Sequence, residues 1–203
     1  MKKLLWVVIL PKFADWETAF LTSTIKSIDP DYEVKYVSIE KGICTSIGGL
    51  RVNIDYTVQN TPKEFSGLVL VGGLSWRTKE SEAVMALVNT SLTNKIPMGA
   101  ICDATVFLGI NGILNNIKHT SNTLTELKSY AKDKYTNKEN YINEQAVVDN
   151  NIITANGTAA LEFTKLMLSA LGVMQGKQLD DYYYFMKNGI YKSIQQGIKI
   201  PFK

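Results

Sequence analysis

The chain reads as an α/β protein built on a mainly parallel sheet. Three observations predict this. Short apolar runs at residues 4–10, 68–71 and 98–101 have the composition of strands covered on both faces. Segments with helical spacing lie between such runs, so strands and helices alternate along the chain. Two of the apolar runs also stop abruptly, one at Gly72-Gly73 and one at Cys102. In parallel sheets, chemistry collects at the carboxyl ends of strands.

Residues 4–10 are the first buried strand. Asp15 is placed to cap a helix over residues 16–28, with Ala19, Phe20, Ile25 and Ile28 on its inner side. Asp29-Pro30-Asp31 stops that helix. Residues 33–39 alternate and predict a second strand. Residues 43–45 and 50–54 flank Gly48-Gly49, the pattern of a small hairpin. Residues 68–71 form a strand that enters Gly72-Gly73. Residues 80–92 are helical, with Val84, Leu87 and Val88 at core spacing. Residues 98–101 form the strand before Cys102, and a helix begins at once after it. Residues 119–121 read as a short strand. Residues 125–140, rich in Lys, Thr, Asn and Tyr, read as an exposed helix or loop. Residues 146–148 and 152–155 flank Asp149-Asn150-Asn151, a hairpin turn. A strong helix over 159–171 ends at Gly172, and another runs from 179 towards 194. No internal repeat or composition break divides residues 1–203, which predicts one domain.

Bulk properties narrow the function. The 203 residues are 45% hydrophobic and 20% charged, enough for one substantial core. The formal net charge is only +3, and no basic run interleaves with aromatics, so nucleic acid is not the expected partner. Arg51 and Arg77 are the only arginines. The two cysteines, Cys44 and Cys102, make no disulfide framework, and a reducing cytoplasm is the simplest setting. One histidine, His119, and no CxxC pair argue against a zinc site, and no cofactor motif stands out. The apolar N-terminus is short for a secretory signal, and no segment has the length and hydropathy to span a membrane.

Cys102 carries the strongest chemical signal. Strand, sharp turn and helix meet at this residue, with the thiol at the apex. Such a turn aims the first helical N–H groups at whatever the sulfur attacks, and the helix N-terminus favours thiolate. A buried cysteine packing as a small apolar group is the alternative, and it is the expectation for Cys44.

Four segments in order resemble the DJ-1/PfpI family of the type-1 glutamine amidotransferase-like superfamily. They are residues 8–17 ending in Asp15-Trp16-Glu17, residues 68–73 ending in Gly72-Gly73, Ala100-Ile101-Cys102-Asp103-Ala104, and residues 151–163 around Asn156-Gly157. The resemblance runs to about Gly172, leaving residues 175–203 as a C-terminal helical extension. It implies a flavodoxin-like three-layer sandwich with a nucleophile elbow at Cys102. It implies that Glu17 reaches the sulfur, and that the backbone N–H groups of Gly73 and Asp103 serve as oxyanion donors. It also implies a small-molecule substrate and a homodimer.

One departure matters. Protease-like members carry His directly after the nucleophile, and here that residue is Asp103. The Asp103 carboxylate is expected to point to solvent or to cap. Where some relatives carry another nearby His, this chain has Asn122, and His119 reads as a structural or surface residue. A Cys–His dyad, a working glutaminase and a protease are therefore not expected. Glu17 is also readable as a first-turn helix acid, and Gly72-Gly73 as a plain turn. The cluster Tyr182-Tyr183-Tyr184-Phe185 suits helix packing, a pocket cover or a dimer face. Two functions stay open: a cysteine enzyme acting on a small amide, α-oxoaldehyde or nitrile-like carbon, and a non-enzymatic stress or redox protein that oxidises at Cys102.

Overall fold

The computed structural model describes residues 2–199. A seven-stranded sheet forms its centre. In chain order the strands are β1 (Lys3–Val8), β2 (Tyr32–Ser38), β5 (Tyr56–Thr57), β6 (Gly67–Leu70), β7 (Met98–Ile101), β8 (Ala146–Asp149) and β9 (Ile152–Ala155). Their spatial order is β5-β2-β1-β6-β7-β9-β8, parallel throughout except for β8, which pairs antiparallel with β9. A separate hairpin joins β3 (Ile43–Thr45) to β4 (Arg51–Asn53).

The helices are α1 (Trp16–Ile28), α2 (Met85–Thr93), α3 (Asp103–Ile110), α4 (Leu124–Ala131), α5 (Ala160–Ala170), α6 (Gly176–Asn188) and α7 (Ile190–Gln195). β1 shows why they lie on both faces. Leu5, Val7 and Ile9 pack with Leu21, Ile25 and Phe163 from α1 and α5. Trp6, Val8 and Leu10 pack with Val88, Phe107 and Leu127 from α2, α3 and α4. A strand pleat sends successive side chains to opposite faces, so an all-apolar strand requires a layer of helices on each side. The result is the predicted three-layer sandwich.

Several elements depart from the sequence reading. Asp15 does not cap α1. Its carboxylate accepts from Ser46 Oγ and from Gly48 N–H at 2.9 Å, tying the β3–β4 hairpin to the loop after β1. The predicted helix over 80–92 opens as a 3-10 turn, Lys79–Val84, before α2 begins. The predicted strand at 119–121 is a single bridge between His119 and Tyr141. The two-residue edge strand β5 had no periodic signal to reveal it. The helix predicted from 179 divides at Gly189, whose φ of 82° is open to glycine and breaks the helical ladder. In α4, within the stretch read as an exposed helix or loop, Thr123 caps the helix, its Oγ1 accepting from Glu126 N–H at 3.0 Å.

The site follows from this topology. The chain leaves β1 towards β2 on one side and returns to β6 on the other, which opens a crevice at the strand carboxyl ends. The loops after β1, β6, β7 and β9 meet there.

Candidate active site

Cys102 occupies the turn between β7 and α3, with φ 58° and ψ −127°. A positive φ is unusual for a side-chain-bearing residue and costs roughly 1–3 kcal/mol, which the surroundings must hold in place. They do so from three directions. Cys102 N–H donates to Ala155 O on β9 at 2.9 Å. The Cys102 carbonyl accepts from Thr105 N–H at 3.0 Å and Thr105 Oγ1 at 2.6 Å. The Thr105 hydroxyl is held in turn by Ser121 Oγ at 2.6 Å.

The thiol side chain is half-buried between two glycines. A Cβ on Gly72 would lie 2.5 Å from Cys102 Cβ and 2.6 Å from Glu17 Oε2. A Cβ on Gly157 would lie 2.9 Å from Cys102 Sγ and 3.3 Å from Glu17 Oε1. Both residues are glycine because Cys102 and Glu17 already fill the space a side chain needs.

Glu17, in the first turn of α1, is fully buried. Its Oε2 accepts from Gly72 N–H at 2.7 Å. No N–H or O–H donor among the described residues reaches Oε1, which borders the Cys102 sulfur. Burial pushes the Glu17 carboxyl up to about 7. Burial and the negative charge of an ionised Glu17 push the Cys102 thiol up, while the Asn122 amide and the Asp103 N–H pull it down. Two anions side by side are unfavourable, so the two groups hold one proton between them over a wide pH range.

The sulfur receives two donors. Asp103 N–H, the first of α3, points to it, and Asn122 Nδ2 lies 3.4 Å from Sγ. Gly73 N–H stays outside the local ladder. The bonds of the Phe13–Gly73 bridge run through Ala14 N–H to Gly72 O, 3.0 Å, and Leu74 N–H to Lys12 O, 3.2 Å. Gly73 has φ 145°, and a Cβ there would strike Lys12 O at 2.5 Å. Only glycine lets these backbones approach so closely.

The Asp103 side chain is neither solvent-directed nor a cap. Arg77 Nε donates to its two oxygens at 2.8 and 3.0 Å, and Nη2 also bonds it. The same guanidinium bonds Glu126 and lies 3.6 Å from the Tyr130 ring centroid. A nearly buried carboxylate needs such a partner.

His119 is fully buried and turned elsewhere, its Nδ1 2.8 Å from Ile117 O and its Nε2 2.7 Å from Tyr135 Oη. Cys44 is buried in the core on the α1 side of the sheet. Tyr182 is inside the core, with its hydroxyl 2.8 Å from Thr24 Oγ1. Two site residues carried no chemical signal of their own. Trp16 Nε1 fixes Gly157 O at 2.8 Å, and Asn122 Oδ1 fixes Gly157 N–H at 2.9 Å. A polar cavity of about 420 Å³, lined by Thr120, Asn122, Tyr141, Asn143 and Gln145 among others, opens beside Asn122. Among the described residues, no group of three or more His, Cys, Asp or Glu is placed to hold a metal ion, and no helix is long and apolar enough to cross a membrane.

Sheet order, crevice and a strained cysteine at a helix start define a class: flavodoxin-like α/β proteins with a cysteine elbow. The sequence profile of the DJ-1/PfpI family matches residues 2–170, and the chain belongs to that family. A Bacillus subtilis protein named uncharacterized protease YdeA is 37% identical, over 94% of each chain. The Pyrococcus furiosus deglycase PfpI is 28% identical, over 77% of this chain and 94% of its own. A solved ThiJ/PfpI family protein from Bacillus anthracis superposes with a TM-score of 0.88 at 28% identity, covering 97% of this chain and 95% of its own.

Proposed function

We propose that the chain is a cysteine-nucleophile enzyme acting on a small electrophilic carbon, with an α-oxoaldehyde preferred over an amide or nitrile-like carbon. The observation that carries this reading is an asymmetry of donors. The sulfur has two N–H donors, Asn122 Nδ2 and Asp103 N–H, whereas Glu17 Oε1 has no N–H or O–H donor and meets only the Cys102 thiol. The proton the pair shares is best placed on Oε1, from which it bonds the sulfur, leaving Cys102 as a thiolate.

The chemistry follows. The Cys102 sulfur forms a bond to the aldehyde carbon, and the carbonyl π pair moves to oxygen. Asp103 and Gly73 N–H groups hold the oxyanion, and Glu17 protonates it to a hemithioacetal. Glu17, now ionised, takes the hydrogen on that carbon as a proton, and the C–H pair forms an enediolate with its charge on the adjacent carbonyl oxygen. Glu17 returns the proton to the adjacent carbon while the hemithioacetal hydroxyl proton passes to the neighbouring oxygen. This gives a 2-hydroxy thioester. Water then displaces the thiolate and releases a 2-hydroxy acid. The sum is substrate plus water, with no external oxidant or reductant. An amide is less well served, because its leaving nitrogen needs an acid and His119 is committed to Ile117 and Tyr135. The deglycase name of one relative accords with attack on a carbonyl-derived carbon. The protease name of another fits less well, since Asp103 takes the place of the expected imidazole.

The second reading is redox sensing, in which Cys102 oxidises and the same donors hold a sulfinate. A panel of α-oxoaldehydes, small amides and glutamine, run with wild type and Cys102→Ser, tests the proposal. We expect α-oxoaldehyde consumption that disappears in Cys102→Ser, and ammonia release from glutamine at background. Turnover unaffected by Cys102→Ser, or no turnover of any member, would overturn it. A Cys102-dependent glutaminase signal would overturn the assignment of roles.

A further inference from the structure

Among the described residues, Asn122 hydrogen-bonds the sulfur from outside the β1, β6 and β7 loops. Its carboxamide is oriented from both ends. Gly157 N–H needs an acceptor and finds Asn122 Oδ1 at 2.9 Å, so the opposite end, Nδ2, must face Cys102 Sγ, 3.4 Å away. The reverse flip would set N–H against N–H and an oxygen lone pair against sulfur. Gly157 is itself held by Trp16 Nε1 on its carbonyl, which fixes the N–H that orients Asn122.

We propose that Asn122 is a further catalytic residue: a fixed, uncharged donor to the Cys102 sulfur that stabilises the thiolate and leaves Glu17 as the sole proton carrier of the site. The inference deepens the cysteine-nucleophile reading and rests on it. A carboxamide donates hydrogen bonds but does not exchange a proton near neutral pH. It therefore lowers the cost of charge on sulfur without adding an ionisation. The charged or titratable groups around the sulfur are Glu17 from α1 and the Asp103 carboxylate from α3. Arg77, which also bonds Glu126, neutralises the latter from the far side. His119 precedes Asn122 by three residues, but its ring bonds Ile117 and Tyr135.

The test needs no substrate, so its failure is distinguishable from failure of the enzymatic reading. Thiolate absorbance and iodoacetamide alkylation are followed against pH in wild type, Asn122→Leu and Asn122→His, with thermal unfolding as a check on folding. Asn122→Leu removes the donor and should raise the thiolate pKa by about one unit, slowing alkylation about tenfold at a pH below it. Asn122→His loses the amide tie to Gly157 but returns an N–H to the sulfur. It should restore the thiolate and add a new limb near pH 6.5, the ordinary histidine value. A residue that only braced Gly157 would behave alike in both variants. Equal thiolate pKa values for Asn122→Leu and wild type, or for the two variants, would overturn the proposal. Should Asn122→Leu fail to fold, Asn122→His decides alone: absence of the new limb overturns it.

Discussion

Replacing Glu17 by Leu is the sharpest test of where the shared proton sits, because the two possibilities differ in sign. With the proton on Oε1, Glu17 donates to the sulfur, and Leu removes that bond. A hydrogen bond to a charged group is worth about 1.5–3 kcal/mol, so the Cys102 pKa should rise by about one to two units. With Glu17 ionised instead, Leu would remove a like charge. At a separation near 4 Å and an effective dielectric of about 20, that repulsion is about 4 kcal/mol, and the pKa would fall by about three units. Ultraviolet titration of the thiolate in both proteins gives the sign directly, and a fall would refute the donor assignment. Stability reads the first proton the pair releases, whichever member loses it. Burial raises Glu17 to about 7 from the ordinary 4.5, so the folded state holds this proton more tightly than the unfolded chain. The resulting stabilisation is complete below pH 4.5 and lost as pH rises through 7, with a span of about 3 kcal/mol. Glu17→Gln keeps an acceptor for Gly72 N–H and does not ionise. It should therefore gain on wild type across that window, as measured by denaturant unfolding at pH 4 and pH 8. A constant difference between the two proteins would show that Glu17 is not the group that titrates.

Two further outcomes follow from the same geometry. Limiting iodoacetamide with peptide mapping should label Cys102 before Cys44. Burial pushes both thiols up to about 11, but Cys44 is enclosed in the core, whereas Cys102 is half-buried and its sulfur meets the Asn122 amide; preferential labelling of Cys44 would sink the nucleophile assignment. Gly157→Ala places a methyl 2.9 Å from Sγ and 3.3 Å from Glu17 Oε1 without positive-φ strain. Overpacking of this size costs about 1–3 kcal/mol. Spent on displacing the sulfur, it should slow Cys102 alkylation about tenfold or more, and an unchanged rate would refute the close packing around the thiol.

Much of this protein was legible in its order of residues, for reasons that are local. An apolar run too short for a long helix and flanked by turns must be a strand covered on both faces, so β1, β6 and β7 could be read directly. A cysteine between such a run and a helix is an elbow whatever surrounds it, and the breaks after β6 and β7 mark strand carboxyl ends. What the sequence left undetermined is set by groups far apart in the chain. Asp15 was expected to serve its own helix, yet its carboxylate is drawn 31 residues away to Ser46, because the hairpin packs over the loop after β1. Asp103 was expected to face solvent or to cap, but the loop after β6 brings Arg77 to it, and α4 sets Glu126 on the same guanidinium. Gly72 read as a turn residue, and Gly157 only as part of a resembling segment, until the fold placed Cys102 and Glu17 against both. Asn122 shows the difference most plainly. The sequence marked it only as standing where some relatives carry His, and that says nothing of its partners, since a carboxamide takes its role from whatever stands about 3 Å from each end. Periodicity encodes which face of an element is buried; only the packed sheet determines that one end of this amide meets a backbone N–H and the other a sulfur.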